Sequence, residues 1–180
     1  MADEILIILL LLVANGVFAM SEIAVVTSRR VRLQQRADNG DKRARAALAL
    51  ATNPTNFLST VQVGITLVGI FAGAYGGATL TQQLQVHLAQ QAMLAPYAEI
   101  LALVIVVSAI TYFSLVIGEL VPKAIALSNP EGVASLVAAP VAMIARVATP
   151  LVTVLSLSTR LVLKVLRIKP TQERAITEEE

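Results

Sequence analysis

Long apolar runs separated by short polar segments dominate this chain. The first run, Ile5 to Thr27, is long enough for the roughly 20 residues that cross a bilayer. Two runs of similar length follow, and the pattern predicts membrane-spanning helices at about residues 4–28, 55–80 and 97–121. The predicted fold class is therefore an all-α membrane protein with three transmembrane helices.

A fourth apolar stretch, at residues 131–168, lacks the pattern of a simple span. Pro140 and Pro150 divide it into pieces of about ten residues, and Arg146 lies between them. An arginine at the centre of a lipid-facing helix costs about 2.5–3.5 kcal/mol on insertion scales, and such short pieces are typical of re-entrant or interfacial helices. We therefore expect a re-entrant or juxtamembrane helical belt here. The alternative is a true fourth span with the carboxyl terminus outside.

The basic residues predict how the spans are oriented. Residues 28–52 hold seven of the fourteen lysines and arginines and only two acidic residues. By the positive-inside rule this segment is cytoplasmic, so the amino terminus lies outside. A second basic cluster at residues 160–174 places the carboxyl end in the cytoplasm as well. From an outside amino terminus, three crossings of the membrane end in the cytoplasm, whereas four would end outside. Because no basic residue precedes Ile5, we expect a retained helix and not a cleaved signal peptide.

The first basic segment has local structure of its own. Asp38-Asn39-Gly40-Asp41 is typical of a turn, and Lys42 to Thr52 is predicted to form a short, alanine-rich surface helix that ends before Pro54. The arginines here either set the topology alone or also contact anionic lipid.

Composition agrees with a membrane protein and excludes several chemistries. The 180 residues are 56% hydrophobic and 14% charged, with a mean hydropathy of +0.74; soluble domains are about 45–50% apolar and about 25% charged. The absence of cysteine and the single histidine, His87, leave no thiolate or zinc chemistry. Aromatic residues make up only 4%, which argues against a nucleic-acid groove. The sequence shows no pair of a nucleophile and a base that would indicate an enzyme.

Polar residues inside the spans recur at helical spacing. On the first span Asn15 and Glu22 share a face, and Ser21 lies beside it. Because polar groups are costly in hydrocarbon, they are expected to face protein or a cavity. A second stripe, polar and then small, follows the second span: Ser59, Gln62, Thr66, Gly69, Gly73 and Gly76. Its glycines either serve close helix packing alone or form a dimer face.

A proline motif ends the third span, Gly118-Glu119-Leu120-Val121-Pro122-Lys123. Pro122 cannot donate a backbone hydrogen bond, and its ring clashes with the carbonyl four residues earlier, that of Gly118. A freed carbonyl beside the Glu119 carboxylate predicts a site for a hard cation.

The candidate metal ligands are Asn15, Ser21, Glu22, Ser59, Thr66, Gly118 and Glu119. Ligands that are all oxygens suit Mg²⁺, Ca²⁺ or Na⁺ better than transition metals. Structural or gating roles are assigned to Gly69, Gly73, Pro122 and Lys123. The alternative is that the hydroxyls bond back to their own helices, while the two carboxylates pair with Arg29 or Lys123.

Three of these motifs together resemble a known family. The stretches Asn15–Ala24, Phe57–Gly69 and Gly118–Lys123 are similar to the transmembrane domain of the CNNM/CorC magnesium transporters, whose bacterial branch is often labelled hemolysin-like. The similarity includes Asn129-Pro130-Glu131 and covers essentially the whole chain. Residues 1–170 are identified as such a domain.

The resemblance implies a homodimer in the bacterial inner (plasma) membrane, with one dehydrated Mg²⁺ held among the three helices of each protomer. It implies that Mg²⁺ leaves the cytoplasm, exchanged for Na⁺. It also implies a downstream pair of CBS domains that bind ATP, and it makes residues 171–180 the start of a linker into that pair. No nucleic-acid partner is expected.

The chain departs from the family pattern at several positions. Relatives often carry asparagine where this chain has Ile65, Thr66 and Gly69, so that water or Thr66 would have to replace an amide ligand. A serine of many relatives aligns with Asn15, and a second one falls at Ala19. Two other functions stay open at this stage: a non-transporting, dimeric membrane anchor or sensor for a cytoplasmic regulatory module, and membrane lysis.

Overall fold

The structure is a computed structural model that describes residues 2–166, and all regular structure among them is helical. The all-α fold class is thus confirmed. The helices are α1 Ala2–Thr27, α2 Arg30–Asp38, α3 Lys42–Thr52, α4 Pro54–Ala89, α5 Ala98–Leu115, α6 Val121–Ser128 and α7 Pro130–Val165. A 3₁₀ turn, Ala95–Tyr97, precedes α5, and a π-helical turn, Val116–Leu120, joins α5 to α6.

Within residues 2–166, three helical stretches are long and apolar enough to cross a membrane: Asp3–Thr27, Phe57–Ala89 and Ala95–Ser128. They confirm the predicted number of spans. The second and third stretches run well beyond the predicted ends at residues 80 and 121. Polar but helix-forming residues extend α4, because neither glycine nor proline interrupts the chain between Leu80 and Ala89.

The first basic segment folds into a helical hairpin. α3 has the predicted bounds, and Asp41 caps it, since its Oδ1 accepts hydrogen bonds from the N–H groups of Arg43 (2.9 Å) and Ala44 (3.1 Å). Gly40 has a φ of +91°, a conformation that favours glycine, and so lets the chain reverse between α2 and α3.

α7 corrects one expectation. The two prolines were predicted to divide residues 131–168 into short pieces, but a single helix continues through Pro140 and Pro150. Each proline removes one backbone hydrogen bond, and the remaining hydrogen bonds of a 36-residue helix outweigh that loss. Both lie on exposed positions of α7. The juxtamembrane or re-entrant placement of α7 stays a prediction. Residues 167–180 fall outside the described part of the chain. They include the predicted linker, 171–180, and part of the second basic cluster: Arg167, Lys169 and Arg174.

The hydrophobic core lies at one end of the bundle, where the hairpin and α7 close over the spans. Its buried members include Phe18, Leu33, Phe57, Val61 and Val141. Towards the other end the large apolar side chains of the spans are mostly exposed, as expected of a surface that faces lipid. The packing of this core therefore fixes the relative positions of α1, α4 and α6 at that end of the bundle, next to the candidate site.

Candidate functional site

A polar cavity of about 360 Å³ lies among the three spanning stretches. Each stretch contributes at least one polar side chain to it. The lining residues are Asn15, Ala19 and Glu22 from α1, Gln62, Ile65 and Thr66 from α4, Glu119 from the π-helical turn, and Lys123 from α6. The cavity therefore brings together four of the seven predicted ligands: Asn15, Glu22, Thr66 and Glu119.

Asn15 anchors α1 to the π-helical turn. Its side-chain Nδ2 donates a hydrogen bond to the carbonyl oxygen of Gly118 across 3.2 Å, and both residues are buried. The Oδ1 of Asn15 is also buried and accepts no hydrogen bond from any described residue. An unpartnered buried oxygen costs free energy, so this atom marks a position where a donor or a cation would be stabilised.

The Gly118 carbonyl oxygen is not free, contrary to the prediction. Pro122 was expected to leave it free as a ligand, but it accepts the Asn15 amide. A carbonyl oxygen has two lone pairs, so one remains. Pro122 itself packs against α1: a Cβ added to Gly16 would come within 2.9 Å of its Cγ. The proline motif thus presses the π-helical turn onto α1.

Glu119 forms an ion pair with Lys123, whose Nζ lies 2.6 Å from its Oε1. This pairing was one of the alternatives that the sequence left open. Glu22 has no ion pair or side-chain hydrogen bond within residues 2–166, and Arg29 does not reach it; the Arg29 N–H donates to Glu131 instead (3.3 Å). The cavity therefore holds two carboxylates and one ammonium group.

Other predicted residues lie elsewhere. Ser21 is buried but donates back to the Phe18 carbonyl on its own helix (2.7 Å). Ser59 lines a different cavity, of about 620 Å³, between α4 and the second half of α7, which shares only Gln62 and Thr66 with the first. Gly69 and Gly73 are exposed, and no described atom lies within 4 Å of the position that a Cβ would take on either.

Four lining residues were not among the predicted ligands: Ala19, Gln62, Ile65 and Lys123, of which Lys123 had been given a structural or gating role. Gln62 lies in the α4 stripe between Ser59 and Thr66, and this spacing was the signal that marked it. Ala19 lies one turn from Asn15 on the same face of α1. Within residues 2–166 no group of three or more His, Cys, Asp or Glu side chains converges as a metal site would require. A cation in this cavity would thus need neutral oxygens from Asn15, Gln62 or Thr66 besides the carboxylates.

Three long apolar helices define the class, a helical membrane protein, and they surround a cavity that carries two carboxylates. The chain belongs to the family described as the Cyclin M transmembrane N-terminal domain, whose model matches residues 6–180. The resemblance drawn from the sequence motifs is thereby confirmed.

Curated relatives extend this finding. The chain is 50% identical over 177 residues to UPF0053 protein sll0260 of Synechocystis sp., an alignment that covers 98% of this chain and 40% of that protein. It is 28% identical over 177 residues to UPF0053 protein YhdP of Bacillus subtilis, with the same coverage. It is also 28% identical over 179 residues to the Polyamine export protein of Haemophilus influenzae, again covering 98% and 40%. The chain thus spans about two fifths of the length of these relatives.

Proposed function

We propose that this chain is a cation-transport domain that moves Mg²⁺ out of the cytoplasm across the plasma membrane, as a homodimer and in exchange for Na⁺. The membership in the Cyclin M family supports the class of activity. The observation that carries the choice of site is the buried, unpartnered Oδ1 of Asn15 in a cavity that also holds Glu22 and Glu119.

The charges of the cavity suit a divalent cation. With Lys123 paired to Glu119, two carboxylates and one ammonium leave a net charge of −1. If Lys123 turns away, the net charge becomes −2 and matches Mg²⁺. The neutral oxygens of Asn15, Gln62 and Thr66, with retained water, would complete the octahedral shell that Mg²⁺ demands.

The proposal is tested by transport in liposomes that contain the purified chain and a Mg²⁺-sensitive dye. Glu119→Gln and Asn15→Leu should reduce Mg²⁺ flux by tenfold or more, since each removes an oxygen or charge from the cavity. Ser59→Ala is the control, because Ser59 lies in the other cavity and its loss should leave the flux within about twofold. Reversing the Na⁺ gradient should reverse the direction of Mg²⁺ movement.

A second cargo, an organic polyamine, is favoured by one feature of the cavity. The Lys123 side chain is itself a primary ammonium group on Glu119 at 2.6 Å, which is the contact a polyamine would make. A relative carries the name Polyamine export protein, and a volume of about 360 Å³ exceeds what one dehydrated ion fills. Spermidine that moves under conditions where Mg²⁺ does not would decide for this cargo.

The alternative function, a non-transporting membrane anchor or sensor, predicts that no cargo moves in the same liposomes. If neither Mg²⁺ nor spermidine moves, and neither raises the midpoint of thermal unfolding, the chain is a membrane anchor and the transport proposal is overturned. Mg²⁺-dependent protection against thermal unfolding that disappears in Glu119→Gln would support the site even where flux is too slow to measure.

A further inference from the structure

A third cavity, of about 330 Å³, lies between the α2–α3 hairpin and the start of α7. Arg36 and Arg43 line it from the hairpin, and Asn129, Ser135 and Leu136 line it from α7 and the residue before it. We propose that this cavity binds the phosphate of an anionic phospholipid of the cytoplasmic leaflet. The inference is independent of the cargo.

One positively charged side chain at the cavity, that of Arg43, has no acidic partner among the described residues. The Asp41 carboxylate is paired with Arg36 (Nη2 to Oδ2, 2.8 Å), and Glu131 accepts from the Arg29 N–H and lies 3.8 Å from Arg32. No described carboxylate lies within ion-pair distance of the Arg43 guanidinium. A guanidinium presents a planar fork of donors that matches a phosphate group, so Arg43 is the residue expected to hold it.

Neighbouring polar groups fit a phosphate as well. The Oδ1 of Asn129 already accepts from the Gly132 N–H (3.1 Å), which leaves its Nδ2 as a donor. The Ser135 hydroxyl already donates its one proton to the Glu131 carbonyl (2.7 Å), so it adds no donor to the cavity. The remaining N–H groups of Arg36 complete a set of donors, whereas both nearby carboxylates have partners of their own. The cavity is therefore suited to an anion and not to a cation.

The position of the cavity matches the depth of lipid headgroups. α1 is 26 residues long, roughly 39 Å at 1.5 Å per residue, against a hydrocarbon core of about 30 Å. The Arg29 N–H, two residues after the end of α1, donates to Glu131 in the first turn of α7. The hairpin and the start of α7 thus lie beside the carboxyl end of α1, which on the predicted topology is where α1 leaves the hydrocarbon.

An exposed apolar stripe connects the cavity to the hydrocarbon, and it favours a lipid over a soluble phosphate. Leu136 lines the cavity and is 61% exposed, and Met143 (65%) and Val147 (77%) follow on the same face of α7. The opposite face, with Ala134, Ala138 and Val141, is buried against the core. Acyl chains would lie along this stripe while the headgroup occupies the cavity, as for other interfacial helices.

The test compares soluble short-chain lipids for their effect on thermal unfolding of the full chain in neutral detergent. Dioctanoyl phosphatidylglycerol should raise the midpoint of unfolding in a saturable manner, and dioctanoyl phosphatidylcholine should raise it less. Arg43→Gln should weaken the apparent affinity for phosphatidylglycerol by about fivefold, the effect of removing one basic residue near an anionic lipid. Arg43→Lys should recover part of the loss.

Arg30→Gln is the matched control, because Arg30 is exposed on α2 and lies outside the cavity. It should leave the affinity within about twofold. Equal losses in Arg43→Gln and Arg30→Gln would show general charge attraction and overturn the site. An equal stabilisation by inorganic phosphate would assign the cavity to a soluble anion and overturn the lipid. Leu136→Ser should weaken phosphatidylglycerol binding while any effect of inorganic phosphate stays unchanged.

Discussion

The Lys123 Nζ lies 2.6 Å from the Glu119 Oε1, one helical turn away, in the wall of the cavity that also contains Glu22. The π-helical turn ends between these two residues, and Pro122 packs that segment onto Gly16 of α1. Lys123 thus occupies the Glu119 carboxylate, and a cation that binds Glu119 must compete with it.

Removal of this ammonium group should strengthen cation binding. In Lys123→Met the Glu119 carboxylate loses its partner, so the apparent affinity for Mg²⁺ should rise by about fivefold, or about 1 kcal/mol for a partly exposed pair. Titration of Mg²⁺ against the midpoint of thermal unfolding measures the change. Lys42→Met on α3 is the control for loss of one positive charge, and an affinity that is unchanged or lower in Lys123→Met would contradict competition.

The close approach of Gly118 to Asn15 should make this glycine hard to replace. A Cβ at Gly118 would lie 3.1 Å from the Asn15 Nδ2, so Gly118→Ala must displace the amide that binds the Gly118 carbonyl. We expect a loss of about 1–3 kcal/mol in stability, as in other overpacked sites, together with weaker Mg²⁺ protection. Denaturation in mixed micelles measures the first effect.

Gly77→Ala is the matched control for that substitution, because no described atom lies within 4 Å of its added Cβ. On helix propensity alone it should be neutral or stabilising by up to about 1 kcal/mol. Similar destabilisation by both substitutions would mean that Gly118 has no special contact.

The exposed small-residue face of α4 predicts the dimer contact. Gly69 and Gly73 lie four residues apart on α4, are exposed, and have space for a side chain. If a second copy packs here, as small residues allow in membranes, Gly69→Leu with Gly73→Leu should shift the protein to monomer at concentrations where the wild type is dimeric. Light scattering in detergent reads the change. Val104→Phe, on an exposed part of α5, should leave the dimer intact, whereas an intact dimer in the double variant would place the interface elsewhere.

The cap of α3 predicts a pH dependence outside the membrane. The pKa of the Asp41 carboxyl is lowered below its ordinary value of 3.8, chiefly by the hydrogen bond from the Ala44 N–H and next by the hydrogen bond from the Arg36 side chain. A lowered folded-state pKa means that the stabilisation is complete above pH 3.8 and is lost as the pH falls through the lower, folded-state value. Asp41→Ala should therefore speed amide exchange in α3 at pH 6, and the difference from wild type should shrink below pH 3.8.

Asp38→Ala is the control for that experiment. Asp38 accepts a hydrogen bond from the Gln34 side chain within α2 and does not cap α3. Its substitution should leave exchange in α3 unchanged. A difference between Asp41→Ala and wild type that persists undiminished at low pH would show that the charge of Asp41 is not involved.

Hydrophobic length and charge placement were enough to predict the class of this protein. The three apolar runs each exceed the thickness of a bilayer, so the number of spanning helices follows from residues alone, and the turn residues 38–41 predict the α3 boundaries. The prolines misled because each removes only one backbone hydrogen bond, and the remaining hydrogen bonds of the 36-residue α7 carry the helix through Pro140 and Pro150.

The sequence by itself determined an all-helical chain with three spans, a basic segment with a turn and the α3 helix, and oxygen-bearing residues at helical spacing, because these depend on local patterns; the α2 helix was not predicted. Only the tertiary structure decided which of those residues meet. It separates Ser21 and Ser59 from the cavity, adds Gln62, and ties the Gly118 carbonyl to Asn15. The physical reason is that a helix rotation of a few tens of degrees, fixed by contacts such as Gly16 against Pro122, moves a side chain from one cavity to another without changing its spacing along the chain.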